Sequence, residues 1–392
     1  MNRTLSVLIL AALAPMAAAA AEPERQDLFE GNKGGYFTYR IPGIVITGKG
    51  VILAYAEARK TDGNDWDNID VVLRRSADGG RTFTPPAVIV NGDGKAANNP
   101  VMIPDSQTGD VHFLHCIHYG RCFYLRSGDQ GSSFSPPVEI TAVFEKYRPQ
   151  YQWTAIATGP GHGIQLRSGR LLVPVWLSNG GGHNHRPSVV SSIYSDDHGK
   201  TWNRGEIVAD APLNPSEAVA VELADGRVML NIRSEAAEHR RAVSYSKDGA
   251  HGWTRPAFVP DLLEPVCFGS IVRLTRKPQD SRNRILFANP DNLYSSESKR
   301  EVVGASTWTA HADRKNLTIK MSYDEGATWP VSKVLVPGMS GYSDLAVAAD
   351  KSIYCLHERG ERIDNMFRPN FLTLARFTAG WLSDGNDSIR RK

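Results

Sequence analysis

The sequence predicts an all-β fold, a six-bladed β-propeller, and three observations carry that prediction. An eight-residue pattern, Ser-x-Asp-x-Gly-x-Thr-Trp/Phe, recurs as SADGGRTF from Ser76, SDDHGKTW from Ser195 and SYDEGATW from Ser322. Weaker copies are SGDQGSSF from Ser127 and SKDGAHGW from Ser246, so successive copies start 51, 68, 51 and 76 residues apart. Repeats of this period mark a propeller, a solenoid or an array. Short runs rich in β-branched and aromatic residues precede the copies (IDVVLRR, SSIYS, LTIKMS) and follow them (PPAVIV, PPVEI, PVSKVLV),. Almost no segment keeps a helical period; the exception is around Ala142 to Tyr147,.

Each copy reads as the turn of a β-hairpin. The Asp bonds backbone amides of its own turn, the Gly takes a positive φ, and the closing Trp or Phe packs between sheets. One dependable Asp per copy is too few for a calcium loop, which needs several alternating acidic residues and a distal Glu. The repeat therefore specifies architecture, not chemistry. At about four strands per blade, roughly 370 residues fit five to seven blades, of which six is the expectation.

The chain is expected to divide into an export signal over residues 1–21 and a single domain over residues 22–392. Arg3 supplies the positive start, Leu5 to Leu13 the apolar run and Ala17 to Ala21 the small cleavage positions,. That run is shorter than the about 20 residues of a membrane span. The expectation is a secreted, periplasmic or cell-surface protein without stable membrane insertion. Lys and Arg number 45 against 42 Asp and Glu, a net +3, which lacks the concentrated basic face of a nucleic-acid binder,. The four cysteines are too scattered for a disulfide scaffold: Cys116 and Cys122 either pair across a hairpin or stay as buried thiols,.

Interleaved with the repeats are three further segments, YRIP (Tyr39 to Pro42), NIRS (Asn231 to Ser234) and GYSDL (Gly341 to Leu345). With the repeats, known there as Asp boxes, they make the chain from Phe29 to Phe377 resemble an exo-α-sialidase of glycoside hydrolase family 33. Sialic acid carries a carboxylate on its anomeric carbon, and arginine meets a carboxylate with a planar, permanently charged fork. The resemblance assigns that role to Arg40, Arg233 and Arg314, the last in RKNLTIKMS. The same carboxylate would repel an anionic nucleophile, and sialidases are the exception that uses a tyrosine. Tyr342 matches that tyrosine, and Glu217 in NPSEAVAVE matches the base that takes its proton. The arginines are expected to favour the phenolate.

The proton donor falls in RKTDGNDWDNIDV, where Asp65 matches the family's acid/base aspartate and Asp67 is the nearest rival. Trp66 is expected to exclude water and raise the carboxyl pKa. Arg59 matches the arginine at the sugar's C4 side, and Glu358 the carboxylate that holds Arg40. Two departures stand out: His357 precedes Glu358 where the family has Tyr, and Tyr39 precedes Arg40 where it has Phe. Trp153, Trp176 and Phe268 are candidates for an N-acetyl pocket or for packing between blades. His183 and His185 lie in a glycine-rich loop with no third metal ligand in view, and His115 and His118 flank Cys116 in a strand-like run.

The resemblance implies a retaining exo-α-sialidase that needs no cofactor and no metal. Its partners would be sialylated glycans, glycoproteins or glycolipids, and the chain is expected to be a monomer. The alternatives are a trans-sialidase or its intramolecular variant, and a propeller that binds glycans without catalysis.

Overall fold

A computed structural model describes residues 21–304, 311–361 and 367–389; the expected export signal lies outside them except for its last residue. Most of the described chain is antiparallel sheet. The first sheet runs in sequence order through Thr38–Ile46, Ile52–Arg59, Ile69–Ser76 and Ala87–Val90. The second repeats the plan with Ala97–Pro104, Val111–Ile117, Arg121–Ser127 and Val138–Glu139. The third uses Ala155–Thr158, Leu171–Ser178, Ser188–Ser195 and Asn203–Arg204. The fourth uses Ala218–Glu222, Val228–Ile232, Arg240–Ser246 and Ala257–Leu263.

Tyr294–Ser295 pairs with Arg300–Glu301 in a small two-stranded sheet, and seven further strands form one sheet joined through the 17-residue strand Val331–Val347. Its first half pairs with Lys315–Ser322 and its second with Ile353–Arg359. The chain's first described strand, Glu24–Glu30, pairs with Phe371–Phe377 at the far edge of this sheet, so a segment from each end of the described chain shares one sheet. The innermost strand of the first sheet touches both Val331–Val347 and Ala97–Pro104, which closes the sheets into a ring. Helical turns are short: Thr141–Glu145 falls where the sequence indicated, and Ala379–Leu382 was not anticipated.

The repeats sit where the hairpin reading put them, between the third and fourth strands of a sheet. In the copy from Ser195, Asp197 accepts from the Thr201 amide (2.9 Å) and hydroxyl (2.7 Å), and Ser195 Oγ accepts from the Gly199 amide (2.8 Å). Asp78, Asp129 and Asp324 repeat the pattern, and Asp248 does so with His251 in place of Thr. These carboxylates are occupied by their own turns. The closing aromatics fill the seams between neighbouring sheets: Phe83, Phe134, Trp202, Trp253 and Trp329 each pack into a different core cluster.

Inner strands are covered on both faces, and every residue of Ile52–Arg59 and of Leu171–Ser178 is buried. Cys116 and Cys122 lie opposite each other across a hairpin, and all four cysteines are buried free thiols. No helix among the described residues is long and apolar enough to cross a membrane.

Candidate active site

One pocket gathers side chains from five of the sheet systems around Tyr342. Tyr342 lies in the second half of Val331–Val347 and is buried, its ring backed by Phe268 at 5.5 Å. Its hydroxyl donates to both oxygens of Glu217, at 2.8 and 2.6 Å, and accepts from Arg233 Nη1 at 2.7 Å. Arg233 also donates to Glu217. Glu217 immediately precedes the strand Ala218–Glu222, and Arg233 immediately follows its partner Val228–Ile232, so one hairpin presents the acid and the base of this contact together.

Three guanidinium carbons surround the tyrosine ring: Arg40 at 5.3 Å, Arg314 at 5.4 Å and Arg233 at 6.0 Å from its centroid. Arg40 is aimed by Glu358, which accepts from its Nε at 3.1 Å and from the amides of Ile41 (3.2 Å) and Tyr342 (3.0 Å). A single buried carboxylate thus fixes both an arginine and the tyrosine's backbone. Arg314 donates to the Val266 carbonyl at 2.6 Å. Ile41 and Val266 are β-branched residues at φ +55° and +60°, and strain of this kind collects at functional sites,. Here it sits beside one arginine and on the acceptor of another.

Burial raises the pKa of the Tyr342 phenol above the ordinary tyrosine value. Arg233 and Arg314 oppose the rise and Glu217 adds to it. The arginines do favour the phenolate, as expected, but desolvation and the facing carboxylate outweigh them, and the phenol stays protonated,.

Asp65 and Asp67 separate cleanly. Asp67 is consumed by its own loop, accepting from the amides of Thr61 (2.8 Å), Asp62 (3.2 Å) and Asn68 (2.6 Å). Asp65 lines the pocket with its side chain 41% exposed, and Arg59 Nη1 donates to it at 2.8 Å. Desolvation pushes its pKa upward, but Arg59, Arg40 and His185 pull harder, so the carboxyl lies below the usual range and is ionised. The expected upward shift from Trp66 is corrected on this ground. The Trp66 ring instead stacks on His183 at 4.1 Å and meets His118 and Tyr119.

Arg59 shows what the sequence reading missed. It is buried and held by Glu57, whose Oε2 accepts from Nε at 3.0 Å and from Nη2 at 2.6 Å, while Oε1 accepts the Asn99 amide at 2.8 Å. Glu57 and Arg59 are two apart on one strand and share a face, a signal present in AEAR,. Removing one partner of a buried pair strands the other's charge. Glu57→Gln is expected to lower unfolding stability by about 3 kcal/mol, measured by denaturant titration.

Also unforeseen in the pocket are Asn99, Tyr119 and the pair Arg186–Glu235. Of the three aromatic candidates, Trp176 lines the pocket and Phe268 backs Tyr342. Trp153 is buried elsewhere, its indole donating to the Phe144 carbonyl at 2.9 Å. His185 lines the pocket, with Nδ1 4.0 Å from Asp65. Among the described residues no group of three or more His, Cys, Asp or Glu is placed to hold a metal ion.

A tyrosine facing a carboxylate and ringed by three arginines thus shares one pocket with a loop aspartate. The chain belongs to the BNR repeat-like domain family, whose profile matches residues 50–355. It is 31% identical to the sialidase of Micromonospora viridifaciens over 97% of its own length, and spans 60% of that protein. It is 28% identical to mouse Sialidase-3, covering 86% of this chain and 90% of that one. Among solved structures the Hadza microbial sialidase Hz136 superposes with a TM-score of 0.73 at 24% identity, over 91% of this chain and 69% of that one. This likeness establishes a propeller-type all-β fold shared with sialidases.

Proposed function

We propose that this protein is a retaining exo-α-sialidase that removes terminal α-linked sialic acid from glycans through a covalent tyrosyl-sugar intermediate. One observation carries the reading: the Tyr342 hydroxyl bonds Glu217 inside a ring of three arginines. A neutral nucleophile, its base and a carboxylate-binding fork occur at one point. The substrate carboxylate docks on Arg40, Arg233 and Arg314. Tyr342 Oη attacks the anomeric carbon and passes its proton to Glu217, while protonated Asp65 gives its proton to the departing glycosidic oxygen. Water then attacks the same carbon, Asp65 takes the water's proton, and Glu217 returns its proton to the tyrosine.

Asp65 is ionised in the resting site, which suits the second step and opposes the first. The bound carboxylate offsets the arginine charge that depresses Asp65, and so raises its pKa in the complex,. The acid form then persists to higher pH with substrate bound. For an alkyl sialoside, whose first step limits turnover, the alkaline limb of kcat is expected above that of kcat/KM, read from paired pH–rate profiles.

Glu358 supports both Arg40 and the Tyr342 amide, so Glu358→Gln is expected to raise KM and lower kcat together, about tenfold or more in kcat/KM by steady-state kinetics,. The proposal itself is tested with a fluorogenic α-sialoside: a folded protein that leaves it intact overturns it. Incubation with lactose as acceptor separates hydrolysis from transfer, and a 2,7-anhydro product would reveal the intramolecular variant.

The sheets are read as six blades by dividing the seven-stranded sheet within Val331–Val347, giving one catalytic domain from residue 22. Export is proposed from Arg3 and the apolar run Leu5 to Leu13, which argue for action on glycans outside the cytoplasm,.

A further inference from the structure

We propose that Cys116 and Cys122, free thiols in this structure, are oxidised in a thiol-oxidising environment to a cross-strand disulfide that clasps the turn delivering Tyr119 to the pocket. The two residues are direct partners in the antiparallel pairing of Val111–Ile117 with Arg121–Ser127. The backbone of Cys122 points away from that pairing: its amide donates to Thr141 Oγ1 at 3.0 Å and its carbonyl accepts from the Ile140 amide at 2.8 Å. Cys116 and Cys122 are therefore a non-hydrogen-bonded pair, the kind in which opposite side chains approach most closely. Cβ separations there are about 4.5–5.5 Å, and modest closure reaches the about 3.5–4.5 Å of a disulfide. Both thiols are fully buried in one core cluster with Val101 and Ile156. Cys267 and Cys355 lie in two other clusters, so neither has a cysteine beside it.

The residues between the pair make a strained turn, with His118 at φ +51° and Tyr119 at φ +50°. Its tip reaches the active site: the Tyr119 ring lies 4.6 Å from Trp66 and 4.7 Å from His185. A covalent link at its base would hold Tyr119 and His118 against Trp66, whose neighbour in sequence is Asp65.

Because both sulfurs are buried once folded, the bond forms while the hairpin is still open. The oxidant is a small disulfide such as oxidised glutathione. One cysteine thiolate attacks it, giving a mixed disulfide and one glutathione thiolate. The second cysteine thiolate then attacks the protein-side sulfur and expels the other glutathione thiolate. Two protein thiols lose two protons and two electrons, and one glutathione disulfide becomes two thiols.

The test refolds the full, reduced chain in a buffer of oxidised and reduced glutathione, alkylates remaining thiols and maps the peptides by mass spectrometry. The expected result is a bond joining Cys116 to Cys122, with Cys267 and Cys355 alkylated. Four alkylated cysteines, lasting glutathione adducts at 116 or 122, or a bond involving 267 or 355 would overturn the proposal. A Cys267→Ser/Cys355→Ser variant should keep the bond. Should that variant not fold, the wild-type map decides alone.

Discussion

Tyr342→Phe is expected to lose at least about a thousandfold in kcat on an α-sialoside while keeping its fold and its ligand affinity. The variant removes one oxygen, the atom that bonds Glu217 and Arg233, and leaves the ring packed on Phe268. The arginines that bind the substrate carboxylate remain, so affinity for sialic acid, read by calorimetry, should change by less than about tenfold. The loss must fall on chemistry. A variant that loses binding and turnover in parallel would place Tyr342 among the docking groups instead. Glu217→Gln should be less severe, about a hundredfold or more, because the nucleophile survives without its base.

The second large effect concerns Asp65. Asp65→Ala is expected to cost about 10²–10⁴ in kcat on an alkyl sialoside, whose leaving oxygen needs a proton. An aryl sialoside with an acidic phenol leaves unaided, so its first step should be nearly normal. Its second step lacks the base that activates water. Rapid-mixing experiments should therefore show a burst of phenol followed by slow steady release. Equal losses on both substrates, without a burst, would remove Asp65 from acid–base duty. The substitution is structurally mild, since Arg59 keeps its bonds to Glu57 and to the Gly63 carbonyl.

The residues proposed to carry this chemistry were legible because the segments that hold them match the motifs of the family the chain resembles: Arg40 in YRIP, Arg233 in NIRS, Tyr342 in GYSDL. The Asp-box turns were legible because Asp, Gly and Ser have fixed duties in a turn. Supporting residues were less visible. Asn99 acts through its backbone amide, which any residue carries, and Tyr119 reaches the pocket only because a turn at positive φ delivers it. Arg186 and Glu235 meet across 49 positions, a pairing no local pattern announces. The fate of the Asp65 and Tyr342 pKa values was also hidden, because each is a balance between burial and charges that only the fold brings close: Arg59, Arg40 and His185 for Asp65, and Arg233, Glu217 and Arg314 for Tyr342. Strand alternation was weak for a physical reason: the inner strands are buried on both faces, so they read as continuous apolar runs,. The helix Ala379–Leu382 is too short to show a period, though Thr378 caps it by accepting from the Trp381 amide at 3.1 Å,.

The central claim is that Tyr342 becomes covalently bonded to the sugar, and trapping that species tests it most directly. A 2,3-difluorosialic acid has a good leaving group at the anomeric carbon, and its second fluorine slows the hydrolysis that follows. Incubation with the wild-type protein should add one fluorosialyl group, and peptide mapping should place it on Tyr342, with no adduct on Tyr342→Phe. Turnover of sialosides without any adduct, or an adduct carried by Glu217 or Asp65, would contradict the account.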